Sequence, residues 1–545
     1  MFARLFCQII EKEEKLLMKK NKISLFAAVM LALSSLIGSG WLFGAGEAAR
    51  IAGPAAIFSW IIGAVIMIII AINYVELGAM FPESGGMSRY AQYSHGSLLG
   101  FIAAWANWVS LVTIIPIEAV ASVQYMSTWP WKWSKWTQSF MENGNISSHG
   151  LWVVMLFLLV FTLLNFWSVQ LLTRFTNLIS IFKLGLPALT IVMLIISGFH
   201  GENFTSQTQS FMPYGLKSVF EATAISGIIF SYDAFQTVIN IGGEIKNPSK
   251  NILRGVIISL GISAIIYIFL QVAFIGAIDP ATLAKSGWHG VNFASPFADV
   301  AIMLGLHWLA VLLYMDAFVS PFGTGVAFVA TTGRALAAMT KNGNLPAWLG
   351  RLDRRYMTPR IAVATSFVVS AIMVSIFRNW SMLASIVAAS TLIAYLTGPV
   401  TAAALRKMRP DFKRPVKLRG LNFIAPLSFV VTSLAIYWTM WPTTINVIGV
   451  IALGLPIYFY YQARYNQSNW GQILKGSGWM LAYLAFIALI SYLGDHTFGG
   501  IGLLKYPSDF GLIIVASLAF YYWALASRVD GPDLQHAQKV NRRVK

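Results

Sequence analysis

Long, nearly unbroken apolar runs constrain this chain more than any other feature of its sequence. Of its 545 residues, 57% are hydrophobic and only 11% are charged. A water-soluble fold cannot bury that much apolar surface, whereas about 20 apolar helical residues cross a bilayer core of about 30 Å. Lipid offers no hydrogen bonds to the backbone, so only helices or closed barrels can span it. Because the runs are continuous rather than alternating, they favour helices over a barrel.

The runs predict an all-α polytopic membrane protein with about 14 spans and no soluble domain. We place the spans at 24–46, 54–80, 98–127, 150–168, 175–197, 217–241, 253–277, 298–330, 360–377, 381–404, 425–442, 443–463, 476–494 and 510–527. The regions are then an N-terminal segment 1–23, a ten-helix core 24–404, a basic loop 405–424, additional helices 425–527 and a basic tail 528–545. The stretch MKKNKISLF at Met18 is typical of a bacterial start, so we expect residues 1–17 to be an extension, with Met1 as the alternative start.

The positive charges are distributed unevenly across the predicted membrane. The net charge is +18, and of the 39 Lys and Arg residues, 31 lie on the side of the N-terminus, 7 lie on the other side and Lys183 lies within a span. This asymmetry follows the positive-inside rule and predicts cytoplasmic termini, in a bacterial inner membrane. It accounts for the excess charge without nucleic-acid binding. The single cysteine, Cys7, excludes an intrachain disulfide.

Two of the predicted helices are interrupted. Span one contains LIGSGWLFGAG (Leu36–Gly46), and span six contains ISGIIFSYDAF, which begins at Ile225. Broken helices at matching positions of two halves are typical of inverted-repeat transporters with a site at mid-membrane. The alternative is that these glycines only allow close helix packing.

Unwinding at Gly38, Ser39 and Gly40 would free backbone groups. Bare N–H groups at a helix N-terminus bind carboxylates. Freed carbonyl oxygens accept hydrogen bonds from an ammonium group. An α-amino acid carries both groups, so the pattern predicts an amino-acid site.

Several motifs in order resemble the amino acid–polyamine–organocation superfamily of permeases. They are IGSGWLFG followed by ARIAGPAAIFSW, YVELGAMFPESGGMSRYAQYSHG at 74–96, GGEIKNPSKNILRG at 242–255 and TGRALAAMTKNGNLPAWLGRLDRRYMTPRIA at 332–362. The match runs from about residue 24 to 420, and within the superfamily the chain is most similar to bacterial aspartate:proton symporter-like permeases. The resemblance implies a leucine-transporter-like five-plus-five inverted repeat. It also implies alternating access and secondary transport without ATP.

The same resemblance implies the site residues. The backbone of Ile37, Gly38, Ser39 and Gly40 would bind the substrate carboxylate, Ser226 and Gly227 would help to hold the amino group, and Phe230 would be an aromatic gate. Gln236 stands where some antiporters of the superfamily have a glutamate, so that route of proton coupling is in doubt here.

Ionisable residues within spans are costly and are candidates for function. Lys183 lies eight residues into span five, about 12 Å deep, where it can exchange a proton or simply tie spans together. Glu118 belongs to a polar stripe of span three that should face the bundle interior. It can share a proton with Lys183, line the pocket, contact a cationic substrate or serve only as an interhelical partner.

Other polar residues suggest structural roles more than substrate contact. Asp316 shares a helix face with small polar residues, and Asp233 follows the break in span six. We expect Glu76 and Glu244 to form gate or loop ion pairs, with Arg89 or Arg334 as partners, and His307 to be an interior histidine of span eight. No metal spacing, phosphate-binding loop or catalytic motif is present, so we expect neither a cofactor nor an enzyme.

The first hypothesis is therefore a proton-coupled importer of amino acids in the cell membrane. An acidic substrate would need a cation, and Lys183 is the only deep one in the first ten spans. A neutral substrate therefore stays open. An amino acid/amine antiporter of the same fold is the alternative, and a channel or a membrane enzyme would be a different class. The sequence leaves the oligomeric state open.

Overall fold

The computed structural model describes residues 23–82, 86–167, 169–205, 210–353, 358–465 and 469–542. The expected extension 1–17 lies outside these ranges. Within them the chain is helical apart from short loops, one isolated bridge and one hairpin of strands β1 (Met141–Glu142) and β2 (Asn145–Ile146). The all-α prediction is therefore confirmed.

The first half of the chain contains eleven α-helices. They are α1 (Leu25–Leu36), α2 (Gly40–Ala52), α3 (Ala56–Met80), α4 (Tyr90–His95), α5 (Ser97–Met126), α6 (Ser148–Trp167), α7 (Val169–Ser197), α8 (Gly215–Ile225), α9 (Ile228–Tyr232), α10 (Gln236–Asn240) and α11 (Pro248–Ala277).

The second half contains twelve more. They are α12 (Pro280–Ser286), α13 (Pro296–Met303), α14 (His307–Lys341), α15 (Arg360–Ile376), α16 (Trp380–Tyr395), α17 (Thr397–Met408), α18 (Leu421–Tyr437), α19 (Thr443–Ala452), α20 (Leu455–Tyr465), α21 (Trp470–Leu493), α22 (Ser508–Ala526) and α23 (Pro532–Arg542).

Nine helical stretches in the described ranges are long and apolar enough to cross a membrane, with the run Gly40–Met80 taken as one. Four shorter apolar helices accompany them, namely α1, the second half of α7, α15 and α18. The chain is therefore a multi-pass membrane protein.

The centre of the bundle is formed by α5, α14, α16 and α17. The apolar stretches of α5 and of α16 with α17 are almost completely buried, unlike those of the peripheral helices. The polar stripe predicted on span three faces this interior, because all five of its members are buried: Asn107, Ser110, Glu118, Ser122 and Tyr125. Polar side chains are placed inside the bundle because lipid offers them no partner.

The predicted span 298–330 is wrong in its boundaries. Helix α13 ends at Met303, Gly305 takes a positive φ of 73°, and α14 then runs from His307 to Lys341. His307 is consequently an exposed residue at a helix start and not an interior one. Hydropathy missed this turn because the residues on both sides of Gly305 are equally apolar.

The region boundaries near the C-terminus also shift. Helix α17 continues to Met408 and α18 begins at Leu421, which shortens the basic loop. The tail contains α23, whose Leu534 and Ala537 are buried. A helix break lies near Trp441-Pro442 as predicted, since α18 ends at Tyr437 and α19 begins at Thr443.

Glu76 forms a buried ion pair with partners that the sequence did not indicate. Its carboxylate accepts hydrogen bonds from Arg406 at 2.8 and 2.5 Å and from the Leu418 backbone N–H at 3.0 Å, and Arg414 lies 3.7 Å away. Burial lowers the pKa of Arg414, and Glu76 partly offsets this. The expected pairing of Glu76 with Arg89 or Arg334 is wrong, because the loop after α17 folds back over the end of α3.

Glu244, by contrast, is exposed, and its backbone carbonyl accepts the N–H of Ile23 at 2.8 Å. Arg89 donates to Asn342 Oδ1 and contacts His536 Nε2 at 3.2 Å.

We predict that Glu76→Gln lowers the free energy of unfolding by about 3 kcal/mol, because it leaves two partly buried arginines without their carboxylate. Thermal unfolding of the purified protein in detergent micelles measures the change. Glu244→Gln is the matched control and should change stability by less than about 0.5 kcal/mol. Equal melting temperatures for the two variants would contradict the assignment.

Candidate functional site

The first span is broken where the sequence indicated. Helix α1 ends at Leu36 and α2 begins at Gly40. Between them the backbone N–H of Ser39 donates to both carboxylate oxygens of Glu118, at 3.0 and 3.3 Å. A Cβ at Gly38 would lie 2.6 Å from Glu118 Oε1, so only glycine lets this carboxylate approach the backbone so closely.

The positive end of α2 points into the same region. Ser39 is the N-cap of α2 but makes no side-chain capping bond, and among the described residues the N–H groups of Gly40 and Trp41 have no hydrogen-bond partner. Ile37 remains bonded to α1 through its N–H, which donates to the Leu33 carbonyl at 3.0 Å. The anion-binding capacity of this helix end therefore begins at Ser39.

The carbonyl end of α1 is partly satisfied by side chains from distant helices. Lys183 Nζ donates to the Ser34 carbonyl at 3.0 Å and to Thr324 Oγ1 at 2.7 Å. Tyr267 Oη lies 2.9 Å from the Leu36 carbonyl oxygen. Free carbonyls would be costly in this buried setting, so these contacts stabilise the interrupted helix.

The second break lies between α8 and α9. Gly227 adopts the left-handed conformation, with φ of 86°, which disfavours any other residue there. The Ser226 hydroxyl donates to the Ala222 carbonyl at 2.6 Å, so it caps its own helix. Ser226 and Gly227 therefore contribute backbone groups to the region, not a free hydroxyl.

The two breaks are in direct contact. A Cβ on Gly40 would overlap the hydroxyl oxygen of Ser231 and lie 3.4 Å from the Phe230 ring. Tyr267 Oη also lies 3.5 Å from the Ser231 carbonyl, so a single hydroxyl faces both interrupted helices.

Trp380, the first residue of α16, covers both breaks. Its indole N–H donates to Ser39 Oγ at 3.0 Å, and its ring stacks on Phe43 with centroids 4.8 Å apart. Phe230 meets the same ring edge-on at 6.1 Å, and a Cβ at Gly227 would overlap it. One buried aromatic side chain thus joins the breaks of both spans.

A small cavity of about 10 Å³ lies against the end of α1. A space of this size holds about one water molecule, so an amino acid does not fit there in this conformation. The residues that line it are Ser35, Leu36, Gly38, Ile114, Glu118, Phe230, Asp233, Thr324 and Phe328. Of the predicted site residues, Gly38, Glu118 and Phe230 line the cavity. The others do not line it: Ile37, Ser39, Gly40, Lys183, Ser226 and Gly227.

Lys183 lies further from the ends of its helix than the sequence indicated. Helix α7 begins at Val169 and ends at Ser197, so Lys183 lies fourteen residues, or about 21 Å, from each end. It and Glu118 approach the first span from opposite flanks of the break, at Ser34 and at Ser39. Among the described ion pairs, none joins the two directly.

Two buried aspartates near the site are occupied by structural partners. Asp316 accepts the Trp41 indole N–H at 3.2 Å and the Ser320 hydroxyl at 2.6 Å. Asp233 accepts hydrogen bonds from Tyr395 at 2.6 Å and Thr391 at 3.1 Å, and Ser110 lies at 3.5 Å. Both carboxylates join helices around the breaks, in agreement with the structural interpretation of these residues.

Sequence reasoning missed Tyr267, Trp380 and Thr324 as parts of this site. Tyr267 and Trp380 are single aromatics in apolar helices, which are typical of any membrane core. Thr324 is one of several small polar residues on the same helix face as Asp316, which is typical of helix packing. Trp380 lies 341 residues from Ser39 in the sequence. No local spacing connects such residues, so no local signal could have found them.

A family model described as "Amino acid permease" matches residues 23–451. The chain belongs to the amino acid permease family. The permease is 50% identical over 521 residues to the glutamate/serine transporter AimA of Bacillus subtilis (strain 168), which covers 96% of each chain.

It is also 36% identical over 512 residues to the aspartate-proton symporter of the same organism, covering 93% of the permease and 96% of the relative. A more distant relative is the branched-chain amino acid permease BcaP of Bacillus subtilis (strain 168), 26% identical over 83% of this chain and 95% of its own. The superfamily expected from the motifs is therefore confirmed, and the relatives are membrane transporters, not enzymes.

We predict that Gly40→Val weakens binding of a labelled amino acid by at least about tenfold, which is about 1.4 kcal/mol. The added side chain collides with Ser231 and separates the two breaks. Binding to purified protein measures the loss, with monodispersity in detergent as the check on folding.

Gly261→Val is the matched control, since Gly261 also lies in a helix and a Cβ there meets no atom within 4 Å. Normal binding by Gly40→Val would mean that this glycine serves packing alone.

Proposed function

We propose that this permease is a proton-coupled symporter of small amino acids that works by alternating access. The observation that carries the proposal is the hydrogen bond from the Ser39 N–H, at the break of the first span, to the Glu118 carboxylate. A protein carboxylate occupies the backbone group that would otherwise bind the carboxylate of a substrate.

The proposed architecture has fourteen spans, of which the first ten form two inverted five-helix repeats. The breaks after Leu36 and after Ile225 support it, because they fall in the first and the sixth span. The ten-helix core is 24–404 and the additional helices are 425–527. Both termini face the cytoplasm of a bacterial cell, as the charge asymmetry favours.

In the proposed binding mode, the substrate carboxylate accepts hydrogen bonds from the N–H groups of Ser39, Gly40 and Trp41. Its ammonium donates to backbone carbonyls at the ends of α1 and α8, such as that of Ser35. Phe230 closes the site from the side of Trp380. Each contact uses groups that the breaks leave near the cavity.

Two charged carboxylates cannot share this position. At about 4 Å their repulsion is about 4 kcal/mol for an effective dielectric constant of about 20. Glu118 must therefore take up a proton when the substrate carboxylate arrives. Release of that proton on the cytoplasmic side restores the Glu118 carboxylate, which then displaces the substrate.

The Lys183 ammonium neutralises the negative charge of whichever carboxylate occupies the site, that of Glu118 or that of the substrate. Its ammonium is held by Ser34 and Thr324, and Thr324 lines the cavity beside Glu118. With Lys183 charged, either the Glu118 carboxylate or the substrate carboxylate has a nearby cation. Without it, a buried Glu118 stays neutral, and no proton moves in the cycle.

We predict that acidifying the outside of proteoliposomes speeds amino-acid uptake and that Lys183→Ala removes this dependence. One pH unit supplies about 1.4 kcal/mol per proton, enough for about tenfold accumulation. Uptake into vesicles without internal substrate also distinguishes symport from exchange.

Two further variants sharpen this test. Glu118→Gln cannot release a proton, so it should bind and exchange substrate while losing gradient-driven uptake. Lys285→Ala, in α12 away from the site, should behave like the parent. A Lys183→Ala protein that still responds to the gradient would refute the coupling scheme.

The substrate class follows from the relatives and the charges near the cavity. The two relatives are named as transporters of glutamate and serine and of aspartate, respectively. The Lys183 ammonium, next to the cavity through Thr324, favours an acidic side chain and opposes a cationic one. We propose small acidic and hydroxyl amino acids as the substrates.

A screen of unlabelled competitors tests this class. We expect glutamate, aspartate and serine to inhibit uptake of labelled serine, and lysine and arginine to leave it unchanged. Inhibition by serine alone would restrict the substrates to neutral amino acids. Inhibition mainly by the cationic amino acids would overturn the assignment.

A further inference from the structure

The loop between α21 and α22 reaches across to the broken sixth span. Lys217, in the first turn of α8, donates to both carboxylate oxygens of Asp495, at 3.2 and 3.3 Å. Asp495 lies in that loop, directly after α21. The Lys217 side chain is 38% exposed and that of Asp495 is 11% exposed. The contact joins the half of span six that ends at Ser226 to the last two spans of the chain.

Asp495 is fixed in its loop by backbone groups. Its carboxylate accepts the N–H of Thr497 at 2.9 Å and that of Tyr506 at 3.1 Å. Partial burial opposes ionisation, but these N–H groups together with Lys217 hold the pKa of Asp495 well below its usual range. Its own N–H donates to Tyr437 Oη at 3.0 Å. The acceptor for Lys217 is therefore a preformed anion that does not have to be ordered when the contact forms.

Aromatic packing holds the same half of span six. Phe220 of α8 stacks on Trp438 after α18, with centroids 4.7 Å apart, and contacts Phe510 of α22 at 5.3 Å. Tyr437 donates to Asp509 of α22 at 2.7 Å, which ties α18 to α22. Helix α8 thus packs on a surface built by helices near the C-terminus, and the ion pair lies at its start.

An exposed ion pair usually contributes only a small amount of free energy to stability. That amount is small compared with the total stability of a protein. It is large compared with the free-energy difference between two conformations, because 1.4 kcal/mol changes their population ratio tenfold. The family match ends at residue 451, so α21 and α22 lie beyond it. The relative at 50% identity matches 96% of the chain and therefore includes them.

We propose that Lys217 and Asp495 are positioning residues that hold the outer half of span six closed over the site, and that α21 and α22 serve as the support for this contact. The inference rests on the proposed alternating access, in which α8 moves away when the site opens to the outside. Opening then separates Lys217 from Asp495, and the pair biases the empty carrier toward its outwardly closed conformation.

The test measures opening directly by cysteine labelling. Cys7 is the only cysteine, so Cys7→Ala gives a background without thiols. Ser385 of α16 is buried, and its hydroxyl lies 3.5 Å from the Ile225 carbonyl at the end of α8. In Ser385→Cys, labelling by a membrane-impermeant maleimide added outside reports the departure of α8.

We expect Lys217→Met and Asp495→Asn each to raise the labelling rate about three- to fivefold, as loss of one partly exposed ion pair implies. The double variant should be labelled no faster than the single ones, because the pair acts as a unit. Lys285→Met, a lysine on the same face outside span six, is the matched control.

Parent-like labelling in both single variants would overturn the proposal, and so would additive rates in the double variant. Equal acceleration by Lys285→Met would mean that the reagent senses surface charge and would also overturn it. The assay needs neither substrate nor a proton gradient. Altered labelling together with absent proton-driven uptake would therefore refute the proposed function alone.

Discussion

The hydrogen bond between the Ser39 N–H and the Glu118 carboxylate is the interaction on which the site depends. A buried backbone N–H without a partner is costly, and at the break neither lipid nor a continuous helix supplies one. The partner comes from α5, where Glu118 is fully buried. In the proposed binding mode a substrate carboxylate needs the same N–H group. The Glu118 carboxylate that stabilises the interrupted helix therefore competes with the substrate, and the charge on Glu118 decides which of them binds.

The surrounding contacts follow the same physical rule. Lys183 and Tyr267 satisfy carbonyls that α1 leaves free, and Trp380 engages the Ser39 hydroxyl while covering Gly227. Each of these side chains comes from a different helix. The breaks are therefore held by the whole core, and a movement of one helix changes the partners of the others.

Much of the architecture could be predicted because lipid imposes simple requirements on sequence. The helical class, the separation near Trp441-Pro442 and both breaks followed from apolar run length and from glycine chemistry. The turn at Gly305 was missed because its neighbours are as apolar as a span, and the partners of Glu76 were misassigned because ion pairing depends on how loops fold back. Glu118 and Lys183 were found as candidates because a charge within a span is rare and costly.

The sequence by itself determined that the chain spans a membrane, that spans one and six are interrupted and that Glu118 and Lys183 are buried, because each of these follows from the physical cost of a residue or a backbone break in hydrocarbon. Only the tertiary structure decided that Glu118 occupies the Ser39 N–H, that Lys183 reaches Ser34 and Thr324, that Trp380 lies over both breaks and that Asp495 holds Lys217. These contacts join residues from 79 to 341 positions apart. Such partners are chosen by the packing of helices in three dimensions, which no local pattern of residues records.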